Sequence, residues 1–490
     1  MDRRCAVLGG LGVGAVAVAG GAGAIALASR HETEPYGHLL ARIAAASRRT
    51  FSPAELRADL AYLCDALVDI CVEPFEHTAK ASFAAMRRRV EAHLSAPLDT
   101  FGFGLRVAPL FASLRDGHIS IGCSDMMYQF QRDGGGVCPL RLTFTGDATF
   151  VTRSSAFGVP DGSRLLAIDG VSASRIAANV LGCTSAPTPQ ARNEFASDVS
   201  VTSMWLRAIL GPRPSFLVAY ESQGVRFERR VSARKFDEVV KLTASTDGPP
   251  VAFRALAGGA VGYLDYRRCE SGPVLDRALH DAFARAKAAN VRALVVDVRN
   301  NRGGSTSAND QVLNYLTAKP YSQGNRFSVR ASRMVKAKYG FVGFLRGYYA
   351  PAAWFAPEGS VVTVEVPDIL ARTQPGVNSL RFAGPVYLLV GPATFSSAMS
   401  FAQTVSDFGI ATLVGEPLGE PANSNGEVFS VRAPRTCLNA GIASKFYYAT
   451  KPRPNDAVIT PDILVKTTAK DLRLGRDPVL DAVLRHIGHA

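Results

Sequence analysis

Two adjacent serines follow a segment that reads as a buried strand. The apolar run PVYLLV (385–390) leads into GPATFSSAMSFA (391–402), which places Ser396 and Ser397 ahead of an apolar, helix-like stretch. A strand that passes through small residues into a helix can expose a hydroxyl as a nucleophile. The same position also suits serines that only cap the helix. The pattern leaves both interpretations open.

A second segment offers backbone amides. The apolar run VRALVVDVR (291–299) leads into Asn300-Asn301-Arg302-Gly303-Gly304-Ser305. Adjacent glycines adopt backbone conformations that are closed to other residues and leave their N–H groups uncovered. Uncovered amides stabilise negative charge as it develops on a carbonyl oxygen, so Gly303 and Gly304 are candidates for an oxyanion hole. A purely structural turn is the alternative.

The elements that must position these residues form three regions. Residues 32–125 carry apolar residues at three- and four-residue spacing, which predicts an N-terminal helical region. Residues 136–245 read as short strands separated by turns, with a helix start at Ser174-Arg175-Ile176. Residues 250–490 alternate strands with amphipathic helices, as in a layered α/β domain. The predicted fold class is therefore α/β with several domains.

The first 28 residues have the pattern of a targeting segment. Arg3 and Arg4 precede a Gly- and Ala-rich apolar stretch that ends in a cleavage-type Ala26-Leu27-Ala28. This predicts export to the periplasm or the extracellular space, through a signal that resembles a twin-arginine leader. The stretch is also long enough to stay in the bilayer as an anchor if it is not cleaved.

Composition argues against several classes of function. The chain has 490 residues and a formal net charge of +13, but its basic residues are spread thinly, so no nucleic-acid partner is predicted. No phosphate-binding glycine loop appears in context, and no cofactor is implied. Seven cysteines outside the leader lack zinc-type spacing, so no metal is predicted. An oxidising compartment would allow one or two disulfides, with Cys64–Cys71 and Cys123–Cys138 the nearest pairs.

Four motifs together resemble the S41 peptidases, the family of tail-specific or C-terminal processing proteases and their tricorn-like relatives. In the family's order they are Asp297-x-Arg299-x-Asn301-x-Gly303-Gly304, Thr394-x-Ser396, Val414-Gly415-Glu416 and Pro461-Asp462. The resemblance covers roughly residues 255–470. It implies a core that is a spiral of ββα units, similar to crotonase and ClpP.

A second resemblance lies upstream of that core. Gly162, Leu165, Ile168 and Gly170 are similar to the G-x-x-L-x-x-I-x-G segment of PDZ domains. These modules bind peptide C-termini by adding a strand to a sheet edge. Residues 136–245 are therefore expected to form a PDZ-like domain, with a generic hairpin as the alternative.

The family resemblance assigns roles to the serines. It makes Ser396 the nucleophile and gives the Ser397 N–H a place in the oxyanion hole beside the Gly303 or Gly304 amide. A slip of one residue would make Ser397 the nucleophile instead. One branch of the family takes its base from a Gly-Lys-Gly motif, but this sequence reads Gly419-Glu420-Pro421 there, so a lysine base is excluded.

The other branch uses a histidine, and its Leu-x-Asp-x-His motif is similar to Leu114-Arg115-Asp116-Gly117-His118. His118 is thus expected to transfer protons, as imidazole does near neutral pH. Tricorn-like relatives orient this ring with a carboxylate shortly before the terminal Pro-Asp. Alignment puts Asn455 at that place, and the neighbouring Asp456 is the expected third member, with Asn455 as the alternative. Met399 departs from the glutamate usual in the family.

The resemblance as a whole implies an exported serine endopeptidase that acts on polypeptides and needs no cofactor or metal. The sequence specifies no oligomeric state. Two other functions stay open. The chain could be a catalytically inactive scaffold that binds peptides through its PDZ-like domain, or the crotonase-like core could process an acyl-CoA. The latter lacks any recognisable cofactor pocket in the sequence.

Overall fold

The computed structural model describes residues 36–146, 148–243, 248–348 and 350–489. The predicted export signal or anchor at residues 1–28 lies outside these ranges. Among the helices in them, none is both long enough and apolar enough to cross a bilayer. The seven cysteines within them are free and buried, so neither of the two nearest pairs forms a disulfide.

Helices are spread along the described chain. In order they are α1 (Tyr36–Ala46), α2 (Pro53–Ile70), α3 (Lys80–His93), α4 (Thr100–Ala112), α5 (Ser124–Arg132), α6 (Ala173–Gly182), α7 (Pro189–Ala196), α8 (Val199–Leu210), α9 (Phe236–Thr243), α10 (Pro273–Ala288), α11 (Thr306–Leu316), α12 (Arg333–Tyr348), α13 (Pro351–Phe355), α14 (Asp368–Ala371), α15 (Ser397–Asp407), α16 (Ala469–Leu474) and α17 (Pro478–His489).

The strands begin only after the fourth helix. In order they are β1 (Ser120–Gly122), β2 (Arg141–Phe144), β3 (Thr149–Thr152), β4 (Arg164–Ile168), β5 (Val171–Ser172), β6 (Ser215–Ser222), β7 (Val225–Ser232), β8 (Val251–Leu256), β9 (Val261–Tyr266), β10 (Ala293–Asp297), β11 (Arg326–Arg330), β12 (Val361–Glu365), β13 (Val386–Val390), β14 (Thr412–Gly415), β15 (Ser424–Arg432), β16 (Asn439–Tyr447) and β17 (Ile463–Leu464).

The central layer is a six-stranded sheet in the order β17-β14-β13-β10-β9-β8, parallel except for β8 at one edge. Residues of α10, α11 and α15 pack on one face and residues of α17 on the other. Every residue of β10 and β13 is consequently buried, which explains their uninterrupted apolar sequences. Because β10 and β13 are parallel neighbours, the glycine loop and the serine turn leave the sheet at the same edge.

Arg299 ties this sheet to the C-terminal helix. Its guanidinium donates to both oxygens of Asp477, each at 2.7 Å, at the start of α17. The same side chain donates to Asp297 Oδ2 at 2.6 Å, at the end of β10. A planar guanidinium can satisfy two carboxylates in this way. The Asp297-x-Arg299 part of the family motif is therefore structural in this fold.

A second sheet joins distant parts of the chain. It contains β1, β11, β12, β15 and β16, all antiparallel, with β16 at its centre. Ser120 of β1 faces Gly441 and Gly122 faces Asn439. This ladder joins the predicted N-terminal region to strands of the predicted core, and it fixes the chain that immediately follows His118.

The third sheet is antiparallel, in the order β2-β3-β4-β6-β7 with β5 paired to β4. Its PDZ-like character stays a prediction. The strand interpretation of residues 136–245 omitted three helices, α7, α8 and α9. The Thr188 hydroxyl caps α7, Pro189 occupies its first turn and the Asp198 carboxylate caps α8, which are strong helix-start signals. The three sheets and their helices confirm the predicted α/β multi-domain class.

Helix α2 braces the second sheet through a buried carboxylate. Asp59 accepts hydrogen bonds from the Thr436 N–H at 2.7 Å and from the Thr436 hydroxyl at 2.8 Å, in the turn between β15 and β16. A buried charge is tolerated only with donors of this kind. Asp59 therefore holds the hairpin whose second strand pairs with β1.

Replacing Asp59 with asparagine should destabilise the fold. The new amide group would direct an NH₂ donor at groups that are themselves donors. We expect the free energy of unfolding to fall by about 2–4 kcal/mol, as for other buried charged groups that lose their partners. Urea denaturation followed by circular dichroism measures this change.

Asp65, which is exposed on the same helix, provides the matched control. Asp65→Asn should change the free energy of unfolding by less than about 0.5 kcal/mol. Equal losses in the two variants would contradict the role given to Asp59.

Candidate active site

Ser396 occupies the turn between β13 and α15 in a backbone conformation that non-glycine residues seldom adopt. Its φ is 56° and its ψ is −127°. Such a residue stores about 1–3 kcal/mol of strain and persists only where its surroundings fix it. The turn is fixed by Thr394 Oγ1, which donates to the Val298 carbonyl at 2.9 Å. The Ser396 hydroxyl makes no capping hydrogen bond to α15, so helix capping does not account for this serine.

Ser397 is placed differently. Its hydroxyl donates to the Gly304 carbonyl at 2.7 Å, and the residue is buried. Its N–H belongs to the first turn of α15, where helical N–H groups have no intrahelical partner. No acceptor among the described residues takes up this N–H. Of the two serines, Ser396 is the one whose hydroxyl is not committed to a hydrogen bond within the described chain.

The glycine loop lies directly against the serine turn. Gly303 has a φ of 95°, and a Cβ placed there would lie 2.7 Å from Ser396 Cβ and 2.8 Å from Ser397 N. Gly304 has a φ of 139°, and a Cβ there would lie 2.2 Å from the Cys269 carbonyl oxygen. Both the backbone angles and the contacts thus require glycine. The Gly303 N–H donates to Asn301 Oδ1 at 2.9 Å, whereas no described residue accepts from the Gly304 N–H.

A buried polar network links the loop to the turn. Asn301 receives the Phe395 N–H at its carbonyl oxygen, 3.1 Å away, and its own side-chain amide donates to the Tyr266 carbonyl at 3.0 Å. Asn309 donates to the Ser397 carbonyl at 2.8 Å and accepts from the Tyr266 hydroxyl at 3.0 Å. These bonds hold the glycine amides and the Ser397 amide in fixed relation.

His118 reaches this site from the segment between α4 and β1. Its ring is 7% exposed and stacks on Phe395, the residue before Ser396, with ring centroids 4.5 Å apart and planes 27° apart. Gly117 allows this approach, because a Cβ there would lie 2.5 Å from the Phe395 ring. Asp116 fixes the segment by accepting the His118 N–H at 2.8 Å. No described hydrogen bond joins the imidazole to the Ser396 hydroxyl in this conformation.

Glu420 is the residue that contacts both catalytic candidates, and the sequence did not suggest it. Its Oε2 accepts the Ser396 N–H at 2.6 Å, and its Oε1 lies 3.3 Å from His118 Nδ1. The carboxyl group is 1% exposed. By the resemblance given above, it stands where the lysine-dependent branch of the family has its base.

Burial governs the ionisation of this pair. Burial raises the pKa of Glu420 to about 8, and the nearby Asp116 charge acts in the same direction. Hydrogen bonds from the Ser396 N–H and the Ser424 hydroxyl oppose this rise. Burial also lowers the pKa of His118, which the Asp116 charge opposes. The buried site therefore favours the neutral forms of both groups near pH 7.

Asp456, the carboxylate expected from the alignment, is not at the imidazole. It is exposed in a turn closed by the Ala457 N–H, which donates to the Pro454 carbonyl at 3.1 Å. Its charge acts on His77 and not on His118. The alternative, Asn455, accepts from Asn423 at 3.2 Å. The structure thus gathers His118, Ser396, Ser397 and the two glycines, and supplies Asp116 and Glu420 where Asp456 was expected.

Comparison with known proteins relates part of the chain to a family. Residues 260–465 match the model of peptidase family S41. No curated protein sequence matches the chain. The structure of mature CPAF complexed with lactacystin is 17% identical, with 89% of this chain and 97% of that chain covered and a TM-score of 0.61. The crystal structure of mature CPAF is also 17% identical, with 86% and 94% covered and a TM-score of 0.58.

At this identity the likeness to the solved structures shows a shared fold. The fold extends over nearly the whole length of those chains, beyond the segment that the family model matches. Residues 260–465 therefore form a domain that matches peptidase family S41, and the chain is a serine-type peptidase.

Proposed function

We propose that this chain is an endopeptidase in which Ser396 is the nucleophile and His118 is the general base. The observation that carries the proposal is the convergence of the two residues from distant parts of the chain. Phe395 stacks on the His118 ring, and Glu420 contacts both His118 and the Ser396 amide. A surface turn or a helix cap would not require a buried imidazole beside a strained serine.

The chemistry follows from these positions. His118 Nε2 takes the proton from Ser396 Oγ as that oxygen attacks the peptide carbonyl carbon, and returns it to the leaving amine. The acyl-enzyme is then hydrolysed by a water that the same imidazole activates. In this structure the two side chains are not hydrogen-bonded, as is common before substrate binds. A small movement that brings them together is therefore part of the proposal.

The oxyanion is proposed to bind between two backbone amides. Gly304 and Ser397 each have an N–H that no described residue accepts, while the Gly303 N–H is already bonded to Asn301. Gly303 contributes by letting the loop approach the serine turn. The start of α15 adds favourable electrostatic potential for a negative charge.

Polypeptides are the proposed substrates, and export to the periplasm or beyond is the proposed location. The location is supported by the leader-like sequence of residues 1–28, which also permits membrane anchoring. The competing function is an inactive scaffold that binds peptides through residues 136–245. Covalent labelling of the serine separates the two.

Ser396→Ala should abolish labelling by a fluorophosphonate probe and lower peptide hydrolysis at least ~10³-fold, and His118→Ala should lower hydrolysis to a similar extent. Ser397→Ala is the matched control. It keeps the backbone amide and loses one hydrogen bond, worth about 1 kcal/mol, so its activity should stay within about tenfold of the wild type. Probe labelling and cleavage of a peptide library measure these effects.

If Ser397→Ala removes labelling and Ser396→Ala does not, the nucleophile is shifted by one residue. A folded wild-type chain that is never labelled and cleaves no peptide would support the scaffold function.

Gly303→Ala should lower kcat by ~10²-fold or more, because its Cβ would displace Ser396 and the Ser397 amide. Gly272→Ala is the control: that glycine also has a positive φ, of 127°, but a Cβ there meets nothing within 4 Å. It should lose stability through backbone strain without a comparable loss of kcat. Steady-state kinetics together with thermal unfolding tests the pair, and equal kcat values for both variants would contradict the assignment.

A further inference from the structure

Two carboxylates lie near the His118 ring, but only one has a free acceptor for it. Asp116 Oδ1 already accepts the His118 N–H at 2.8 Å, and its Oδ2 accepts from Asn425 Nδ2 at 2.7 Å. The distance from Asp116 Oδ1 to His118 Nδ1 is 3.9 Å, too long for a hydrogen bond. Asp116 therefore holds the segment and is not available to the ring.

Glu420 has the complementary arrangement. Its Oε2 is committed to the Ser396 N–H at 2.6 Å, and its Oε1 lies 3.3 Å from His118 Nδ1. That contact is not aligned as a hydrogen bond, so Oε1 and His118 Nε2 are buried polar atoms without a hydrogen-bond partner among the described residues. Unpaired buried polar atoms are costly. A small rotation of the ring pairs Oε1 with Nδ1 and leaves Nε2 for the serine.

We propose that Glu420 is the positioning residue that decides which nitrogen of His118 carries the proton. The proposal rests on the function proposed above for His118 as general base. Because the Ser396 N–H always occupies Oε2, any proton on the carboxyl group sits on Oε1, facing Nδ1. The charge on Glu420 thus sets the tautomer of the ring.

The two states have opposite consequences for catalysis. When Glu420 is ionised, Nδ1–H donates to Oε1, and the lone pair of Nε2 is free to accept the Ser396 proton. When one more proton is bound, it sits either on Oε1, which then donates to Nδ1 of an Nε2–H imidazole, or on the ring as imidazolium. In both placements Nε2 carries a hydrogen and cannot act as a base.

The surroundings shift this step to alkaline pH. Three groups face Glu420 and His118. The Ser396 N–H and the Ser424 hydroxyl favour the ionised form of Glu420. The Asp116 charge disfavours ionised Glu420 and favours a protonated His118 ring. Burial outweighs these and raises the pKa of Glu420 to about 8. Since the ionised state is the active one, kcat/KM should rise with pH through an apparent pKa that belongs to the coupled pair and be lost as the pH falls below it.

Glu420→Gln gives a sharp test, because the Ser396 amide dictates how the new side chain is oriented. The Ser396 N–H requires an acceptor, so the glutamine side-chain oxygen should occupy the position that Glu420 Oε2 has in the wild type. The glutamine NH₂ group then faces His118. That group can only donate to Nδ1, which fixes the Nε2–H tautomer at every pH. The analogous wrong-tautomer substitution in a serine protease triad costs ~10⁴-fold in kcat. We expect a loss of ~10³–10⁴-fold in kcat/KM and no alkaline rise.

Imidazole ¹⁵N chemical shifts of the full chain read the tautomer without relying on activity. With ¹⁵N-histidine labelling, and His118 assigned by comparison with His118→Ala, the wild type should change from an Nε2-protonated ring at pH 6.5 to an Nδ1–H, Nε2-free ring at pH 9.5. Glu420→Gln should show Nε2–H at both pH values. A wild-type ring that keeps one protonation pattern across this range overturns the proposal, even if the variant fails to fold.

The kinetic arm uses pH profiles of kcat/KM for peptide hydrolysis. Glu228→Gln, an exposed position on β7, is the matched control and should keep the wild-type profile. If Asp456→Asn alters the profile and Glu420→Gln does not, the orienting carboxylate is Asp456 and the proposal is overturned. If the wild type cleaves no peptide at any pH, the proposed function fails, while the ¹⁵N measurement still decides the role of Glu420.

Discussion

The short ladder between β1 and β16 is the constraint on which the site depends. Three residues, Ser120–Gly122, pair with Asn439–Gly441 near the other end of the chain. His118 lies just before this ladder, so its main-chain bonds determine where the imidazole is held. The hairpin of β15 and β16 is in turn braced by Asp59 of α2. The geometry of the candidate site is thus set by hydrogen bonds made well outside the proposed catalytic residues.

Buried polar groups fix the glycine loop and the serine turn relative to each other. The parallel neighbours β10 and β13 deliver the glycine loop and the serine turn to one edge, but this fixes their positions only approximately. Asn301 and Asn309 supply the hydrogen bonds that join the two. The network satisfies buried donors and acceptors around the site. The hydroxyl, amide and imidazole atoms of the proposed mechanism are left available.

The strands, the glycine loop and the serine turn could be predicted from the sequence, because the residue patterns that indicate them are local. The apolar runs at β10 and β13 and the adjacent glycines indicate a strand, a turn and exposed amides without knowledge of the fold. The family motifs then located Ser396 and His118, which the fold brings into one site through Phe395 and Glu420. The helices α7, α8 and α9 are not predicted, because the short alternating runs around them favour strands.

The place of Glu420 beside His118 could not be predicted from the sequence, because it depends on contacts from far along the chain. In the sequence, Glu420 is marked only as a position where a lysine is absent. An acidic residue between the buried Leu418 and Ala422 nevertheless indicates a polar partner in the interior. The distance from Pro461 favours Asp456, but sequence spacing cannot show that its turn faces solvent. Whether a carboxylate is buried against a histidine is decided by tertiary structure alone.

The position of β16 also bears on when the enzyme can become active during its synthesis. β1 leaves the ribosome long before Asn439–Gly441 are translated, so its backbone lacks this partner while the intervening residues are being made. The imidazole and the serine cannot be held together until that late strand arrives. A growing chain that has not yet reached Asn439 therefore lacks the partner strand that holds the proposed site together.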